Sequence, residues 1–126
     1  MRQRPRVYVA GPYTSACASP VDVLRHIARG IKVSLHVLRC GGAPFCPWWD
    51  FMAVMFAAVA ACDVTVEEYA EASMAYVGCS AGMVLLPGWE HSRGALLEEQ
   101  EAKRRGIRMY EWDGDLGGLR EWIGGL

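Results

Sequence analysis

Apolar positions in this chain fall into short unbroken runs separated by longer stretches with helical spacing. Val7-Tyr8-Val9-Ala10 is a β-rich run stopped by Gly11-Pro12, which predicts a buried first strand and a turn. From Pro20 to about Cys40, Val23, Leu24, Ile27, Ile31, Leu35 and Leu38 recur on a helical period. Ser19 stands as N-cap with Pro20 at the first helical position, Gly30 slightly weakens the middle, and Gly41-Gly42 ends the helix. Ala43–Cys46 reads as a second strand, cut by Pro47. The Met, Phe, Val and Ala residues of Trp48–Cys62 have no clean period, which predicts a buried helix or a loop packed on a subunit partner. Asp63 or Thr65 caps a helix from about Val66 to Val77, ending at Gly78. Ala81–Leu86 is continuously apolar and stopped by Pro87-Gly88, as a central parallel strand should be. A helix from about Ser92 to Arg105 with Gly106 at its end, a strand over Ile107–Trp112 and a short helix over Leu116–Ile123 complete the pattern.

Strands and helices therefore alternate. That order predicts an α/β fold: a single-domain, doubly wound, mostly parallel sheet of Rossmann or flavodoxin-like type, with helices on both faces. Ligands of such sheets sit outside the carboxyl ends of the strands. Those ends carry Gly11-Pro12-Tyr13-Thr14-Ser15, Pro47-Trp48-Trp49-Asp50 and Pro87-Gly88-Trp89-Glu90-His91-Ser92.

Composition narrows the function classes. With 126 residues, 52% hydrophobic and 21% charged, the chain is globular and of one-domain length. A net charge of −1 leaves no electrostatic footprint for duplex nucleic acid, so a small molecule is the expected partner. The basic Lys103-Arg104-Arg105 closes a helix, where cations complement the helix dipole. Five cysteines, with no C-x-x-C pair and no His at zinc spacing, argue against structural disulfides and a zinc site, and for a reducing cytoplasm. The apolar run after the basic N-terminus is too short for a signal peptide, and Trp49–Cys62 is too short to span a bilayer, so no membrane role is expected. Gly11–Ser15 is neither G-x-G-x-x-G nor Walker A, which disfavours dinucleotide or ATP chemistry; no cofactor is implied.

Pro87–Glu99 is the segment densest in functional side chains. Ser92 occupies an N-cap position, and the free N–H groups of the turn it opens suit an anion; by spacing alone, plain capping is the commoner reason for a Ser there. Glu98 shares a helical face with Gly94, Ala95 and Ala102, a smooth side able to approach the sheet, although a helical Glu is more often solvated. Trp48 and Trp49, beside Asp50, offer a stacking wall for a base, or else core and interface packing. His91, next to Glu90, is a candidate general acid or phosphate contact, or a plain surface residue. His26 and His36, on the first helix, read as structural.

With those residues in view, the chain resembles the nucleoside 2-deoxyribosyltransferase-like superfamily, especially its short members with an L-P-G-W-E-x-S-x-G-A-x-x-E signature. The matching segments are Val7–Tyr13 and Leu86–Glu98, followed by Ala102 to Gly106 and a strand. The resemblance implies cleavage of an N-glycosidic bond between a base and a (deoxy)ribose. It maps the nucleophile to Glu98, the Gly four residues earlier to Gly94 and the polar sugar-side contact to Ser92, with Tyr8 orienting the Glu. Members acting on free nucleosides tend to carry Asp at the Ser92 position, and nucleotide N-glycosidases carry Ser. A carboxylate repels phosphate, whereas a Ser hydroxyl at a helix start donates to it, so both lines point to a 5′-monophosphate. Gly11, Tyr13, Trp48, Asp50, Ser73, Trp89 and His91 complete the expected substrate-binding set. Relatives are usually dimers or larger, and Trp49–Cys62 is the candidate interface.

One departure matters. Ser73, in Ser73-Met74-Ala75-Tyr76-Val77, stands where the resembled family has an Asp, and Ser80 replaces a second one. The leaving base still needs a proton, for which Glu71, Asp63, Asp50 and His91 remain open candidates. The sequence thus supports a glycosidase resolved by water, a transferase exchanging bases, and, in a different class, a nucleotide-binding module with little turnover.

Overall fold

The computed structural model describes residues 2–13 and 19–126. Thr14 and Ser15, named above, lie outside them, as does one of the five cysteines, Cys17. Four strands, β1 (Arg6–Ala10), β2 (Ala43–Phe45), β3 (Gly82–Leu85) and β4 (Arg108–Glu111), form one parallel sheet in the order β2-β1-β3-β4. The expected doubly wound α/β architecture is present, with flavodoxin-like strand order.

The two-residue period of a strand sorts the core into two layers. Val7 and Val9 of β1, with Val84 of β3, join a cluster that includes Ile27, Val33 and Val37 of α1 (Pro20–Arg39) and Leu119 and Ile123 of α5 (Leu116–Gly124). Tyr8 and Ala10, with Met83 and Leu85, turn the other way. They pack with Val77 of α3 (Val66–Gly78) and Ala102 of α4 (Arg93–Arg104). Tyr8 is fully buried on that second face, and this places its hydroxyl near the site.

Local chemistry sets the element ends. At the start of α1, Asp22 N–H donates to Ser19 Oγ at 3.3 Å. Thr65, not Asp63, caps α3: Glu68 N–H donates to Thr65 Oγ1 at 3.1 Å, and Thr65 N–H to Glu68 Oε2 at 2.8 Å. After α1 and α4 the chain takes a positive φ at Gly41 and Gly106, a backbone state that L side chains disfavour.

Trp48–Cys62 departs from expectation. It contains a 3-10 turn (Pro47–Trp49) and a helix, α2 (Asp50–Ala60), but the helix is not buried. Met52, Val54, Met55, Phe56 and Val59 are each more than half exposed. With α1 and α5 on one face of the sheet and α3 and α4 on the other, α2 has no sheet face to cover. Trp48 is the deeply buried residue of this segment. Its Nε1–H donates to the Pro12 carbonyl at 3.1 Å.

Gly30 is explained by the same indole. A Cβ there would fall 2.3 Å from Trp48 Cδ2 and 2.5 Å from Cε3. Relief of glycine's helix cost, about 1 kcal/mol, competes with overpacking of a buried ring, about 1–3 kcal/mol. Because the ring is buried and bonded, overpacking dominates. Gly30→Ala is expected to lower unfolding free energy by about 1–2 kcal/mol in a denaturant titration.

Among the described residues, no helix is long and apolar enough to cross a membrane. Cys40, Cys46, Cys62 and Cys79 are free thiols.

Candidate functional site

The chain leaves β1 in one direction, through α1 to β2, and returns across β1 to β3 by way of α2 and α3. The carboxyl ends of β1 and β3 therefore flank a topological switch point, where open α/β sheets form crevices. A cleft of about 480 Å³ lies there, within the roughly 300–1,000 Å³ of small-ligand sites.

Gly11 and Tyr13 supply its β1 side, Trp48 and Asp50 come from the segment after β2, and Ser92, Gly94 and Glu98 come from α4 and its cap. Gly94, Leu97 and Glu98 line the cleft at i, i+3 and i+4, one face of a helix. Helix α3 contributes Val66, Tyr69, Ala70, Ser73 and Met74, the same spacing over two turns. Of these, only Ser73 was expected as a site residue. The α3 stripe mixes Val, Tyr, Ala, Ser and Met, so hydrophobic periodicity does not mark it out. Among the described residues that line the cleft there is no Lys, Arg or His.

Glu98 is the chemically distinctive member. Its side chain is mostly buried, and Oε2 is closed to solvent with no hydrogen-bond partner. Tyr8 Oη, beneath it on β1, is likewise closed off and unpartnered. Neither meets the geometry of a good hydrogen bond, yet each shapes the other's ionisation. Burial lifts the Glu98 carboxyl to about 7, the Tyr8 hydroxyl pulls it down, and the charge of Asp50 adds to the rise. Burial first, and then the Glu98 charge, hold the Tyr8 phenol far above its ordinary value, while Ser73 opposes that rise. Tyr8 therefore keeps its proton at neutral pH. Gly94 adjoins the carboxyl: a Cβ there would lie 3.9 Å from Glu98 Oε1, an ordinary contact distance.

An unpartnered buried hydroxyl costs stability, so Tyr8→Phe should be neutral or stabilising by up to about 1 kcal/mol. It should also raise the Glu98 carboxyl further, because Tyr8 is the group that lowers it. A thermal melt and a carboxyl-resolved NMR titration check the two halves: a destabilised Phe variant would show that the hydroxyl has a partner, and an unchanged Glu98 titration would show that Tyr8 does not act on Glu98.

Ser92 both caps and faces the cleft. Ala95 N–H donates to its Oγ at 3.3 Å, and the buried side chain is part of the lining. As an acceptor in the cap, the hydroxyl keeps its own proton for a ligand, beside the first-turn N–H groups of Arg93 and Gly94.

Other expected contacts lie apart. Trp49 is half exposed and outside the lining, while Trp48 is locked in the core at the cleft edge, so the two do not form a stacking wall. The reason is the 3-10 turn, which sends consecutive residues to different sides. Tyr13 and Tyr69 are the other aromatic rings of the cleft lining. Trp89 packs on the Tyr8 side of the core from the 3-10 turn Trp89–His91, and His91 is exposed; neither lines the cleft.

Fold and site together define a flavodoxin-like α/β protein with a buried carboxyl in a switch-point cleft. Residues 50–111, from the start of α2 to the end of β4, match the family model described as Domain of unknown function (DUF4406). The match takes in Asp50, Ser73, Ser92, Gly94 and Glu98 and excludes the β1 side of the cleft. No curated protein matches the chain.

Proposed function

We propose that this protein cleaves the N-glycosidic bond of a nucleoside or deoxynucleoside 5′-monophosphate, through a glycosyl-enzyme on Glu98 that water resolves. The observation that carries the reading is the Glu98 carboxyl, half sequestered with Tyr8 beneath it and lining a ligand-sized cleft at the switch point. Glu98 attacks C1′ as positive charge develops on the sugar ring, and the C1′–N bond breaks. Tyr8, beneath the carboxyl, opposes the rise that burial gives it and so favours the ionised nucleophile. The phosphate rests on the Ser92 hydroxyl and the start of α4. Tyr13 and Tyr69 provide aromatic faces for the base.

The nucleophile must be ionised. Since burial places the Glu98 carboxyl at about 7, kcat/KM on a substrate whose leaving group departs without a proton should climb as pH rises through neutrality and flatten above it. Incubation with each common nucleoside and nucleotide, followed by chromatography for free base, tests the reading. Base released from 5′-monophosphates supports it. Tight binding with no release across the panel would instead identify a nucleotide-binding module, a reading favoured by Ser73 in the place of an Asp. A new nucleotide on adding a second free base would mark a transferase. The exposed apolar side chains of α2 support an assembly of two or more copies.

A further inference from the structure

A departing base leaves with the electron pair of the C1′–N bond and needs a proton, yet Ser73, at the position where the resemblance expects an acid, has none to give at neutral pH. Four residues stood open as replacements, and the fold separates them. Glu71, Asp63 and His91 are exposed and do not line the cleft. Asp50 does, at the first position of α2 and directly after the turn anchored by buried Trp48.

Resting on the glycosidase reading above, we propose that Asp50 is the catalytic acid that protonates the departing base. Three observations support the assignment. Asp50 and Glu98 are the carboxyl groups among the described residues of the cleft. They come from different elements, Asp50 from the first position of α2 and Glu98 from α4. The Asp50 charge also bears on Glu98 and Tyr8, in each case as a smaller influence than burial.

Two opposing influences suit Asp50 to both halves of the reaction. Burial lifts its carboxyl above the ordinary value, favouring the acid form. Its place at a helix N-terminus favours the anion. In the first half, the C1′–N pair goes to the base nitrogen, which takes the Asp50 proton while Glu98 closes its C1′–O bond. In the second, the Asp50 carboxylate takes a proton from water as the water oxygen attacks C1′, and Glu98 departs as the anion. Both groups return to their starting states.

The test compares two leaving groups on Asp50→Asn, a near-isosteric change whose fold is checked by circular dichroism. One substrate is a nucleoside 5′-monophosphate from which the wild type releases base. The other is 4-nitrophenyl 2-deoxyribofuranoside 5-phosphate, whose phenolate departs unprotonated. Asp50→Asn should lose about 10²–10⁴-fold in kcat/KM on the nucleotide and less than about threefold on the nitrophenyl compound, which needs no acid. Undiminished nucleotide cleavage, or equal losses on both substrates, would overturn the role of Asp50 and leave the glycosidase reading standing. A wild type that releases no base from any nucleotide would refute that reading, and the acid with it.

Discussion

Replacing Glu98 by Gln is expected to abolish base release, with a loss of at least on the order of 10³-fold in kcat, while making the protein more stable at alkaline pH. Both outcomes follow from one buried carboxyl. The amide cannot form a glycosyl ester, so the covalent route closes. The stability effect depends on the sign of the pKa change. The folded-state value, about 7, lies above the ordinary 4.5. Below about 4.5 both folded and unfolded chains hold the proton, and Glu98 adds no pH dependence. Between the two values the folded chain holds a proton that the unfolded chain has lost, so stability falls as pH rises. Above 7 the penalty is complete, at up to about 3 kcal/mol. Gln carries no such penalty. Denaturant titrations at pH 4 and pH 8 should show similar stabilities for wild type and Glu98→Gln at the lower pH and a more stable variant at the higher. A variant equally stable at both, relative to wild type, would mean that Glu98 is solvated.

The second large effect concerns the ligand. Ser92→Asp should keep the fold, because Asp caps helices about as well as Ser, yet it sets a negative charge where the phosphate is expected. Like-charge repulsion at this buried cap position should weaken 5′-monophosphate binding by on the order of 100-fold, while the matching nucleoside is held as well as before or better. Isothermal titration with the nucleotide and nucleoside of one base reads this directly. Equal affinity changes for both ligands would place the phosphate elsewhere. The cleft has no basic side chain among its described residues to mask the effect.

The elements that carry the site were legible because their signals are local. Ser92 before the α4 run, Gly11-Pro12 after β1 and Pro87-Gly88 after β3 each mark an end by their own backbone chemistry. The alternation of strands and helices then fixed where those ends meet. Glu98 was ambiguous by periodicity, since Leu96 and Leu97 blur the buried stripe of α4; what distinguishes it is Tyr8, ninety residues away in sequence and adjacent only once β1 is central. Tyr69 and Met74 were hidden because a cleft-facing stripe is neither fully apolar nor fully polar. Helix α2 was misread for a related reason. Its apolar residues signal burial, but whether a sheet face remains for it to cover depends on where the other four helices pack. Gly30 showed a cost in the sequence and a purpose only beside Trp48.

The most direct test of the central claim is to trap the covalent intermediate. A nucleoside 5′-monophosphate bearing fluorine at C2′ has a less stable oxocarbenium-like transition state, which slows breakdown of the glycosyl-enzyme. After incubation, intact-protein mass spectrometry should show the addition of one fluorinated sugar phosphate. Peptide mapping should place it on Glu98, and Glu98→Gln should show none. Base release that continues undiminished in Glu98→Gln, or an adduct mapped to another residue, would contradict the account.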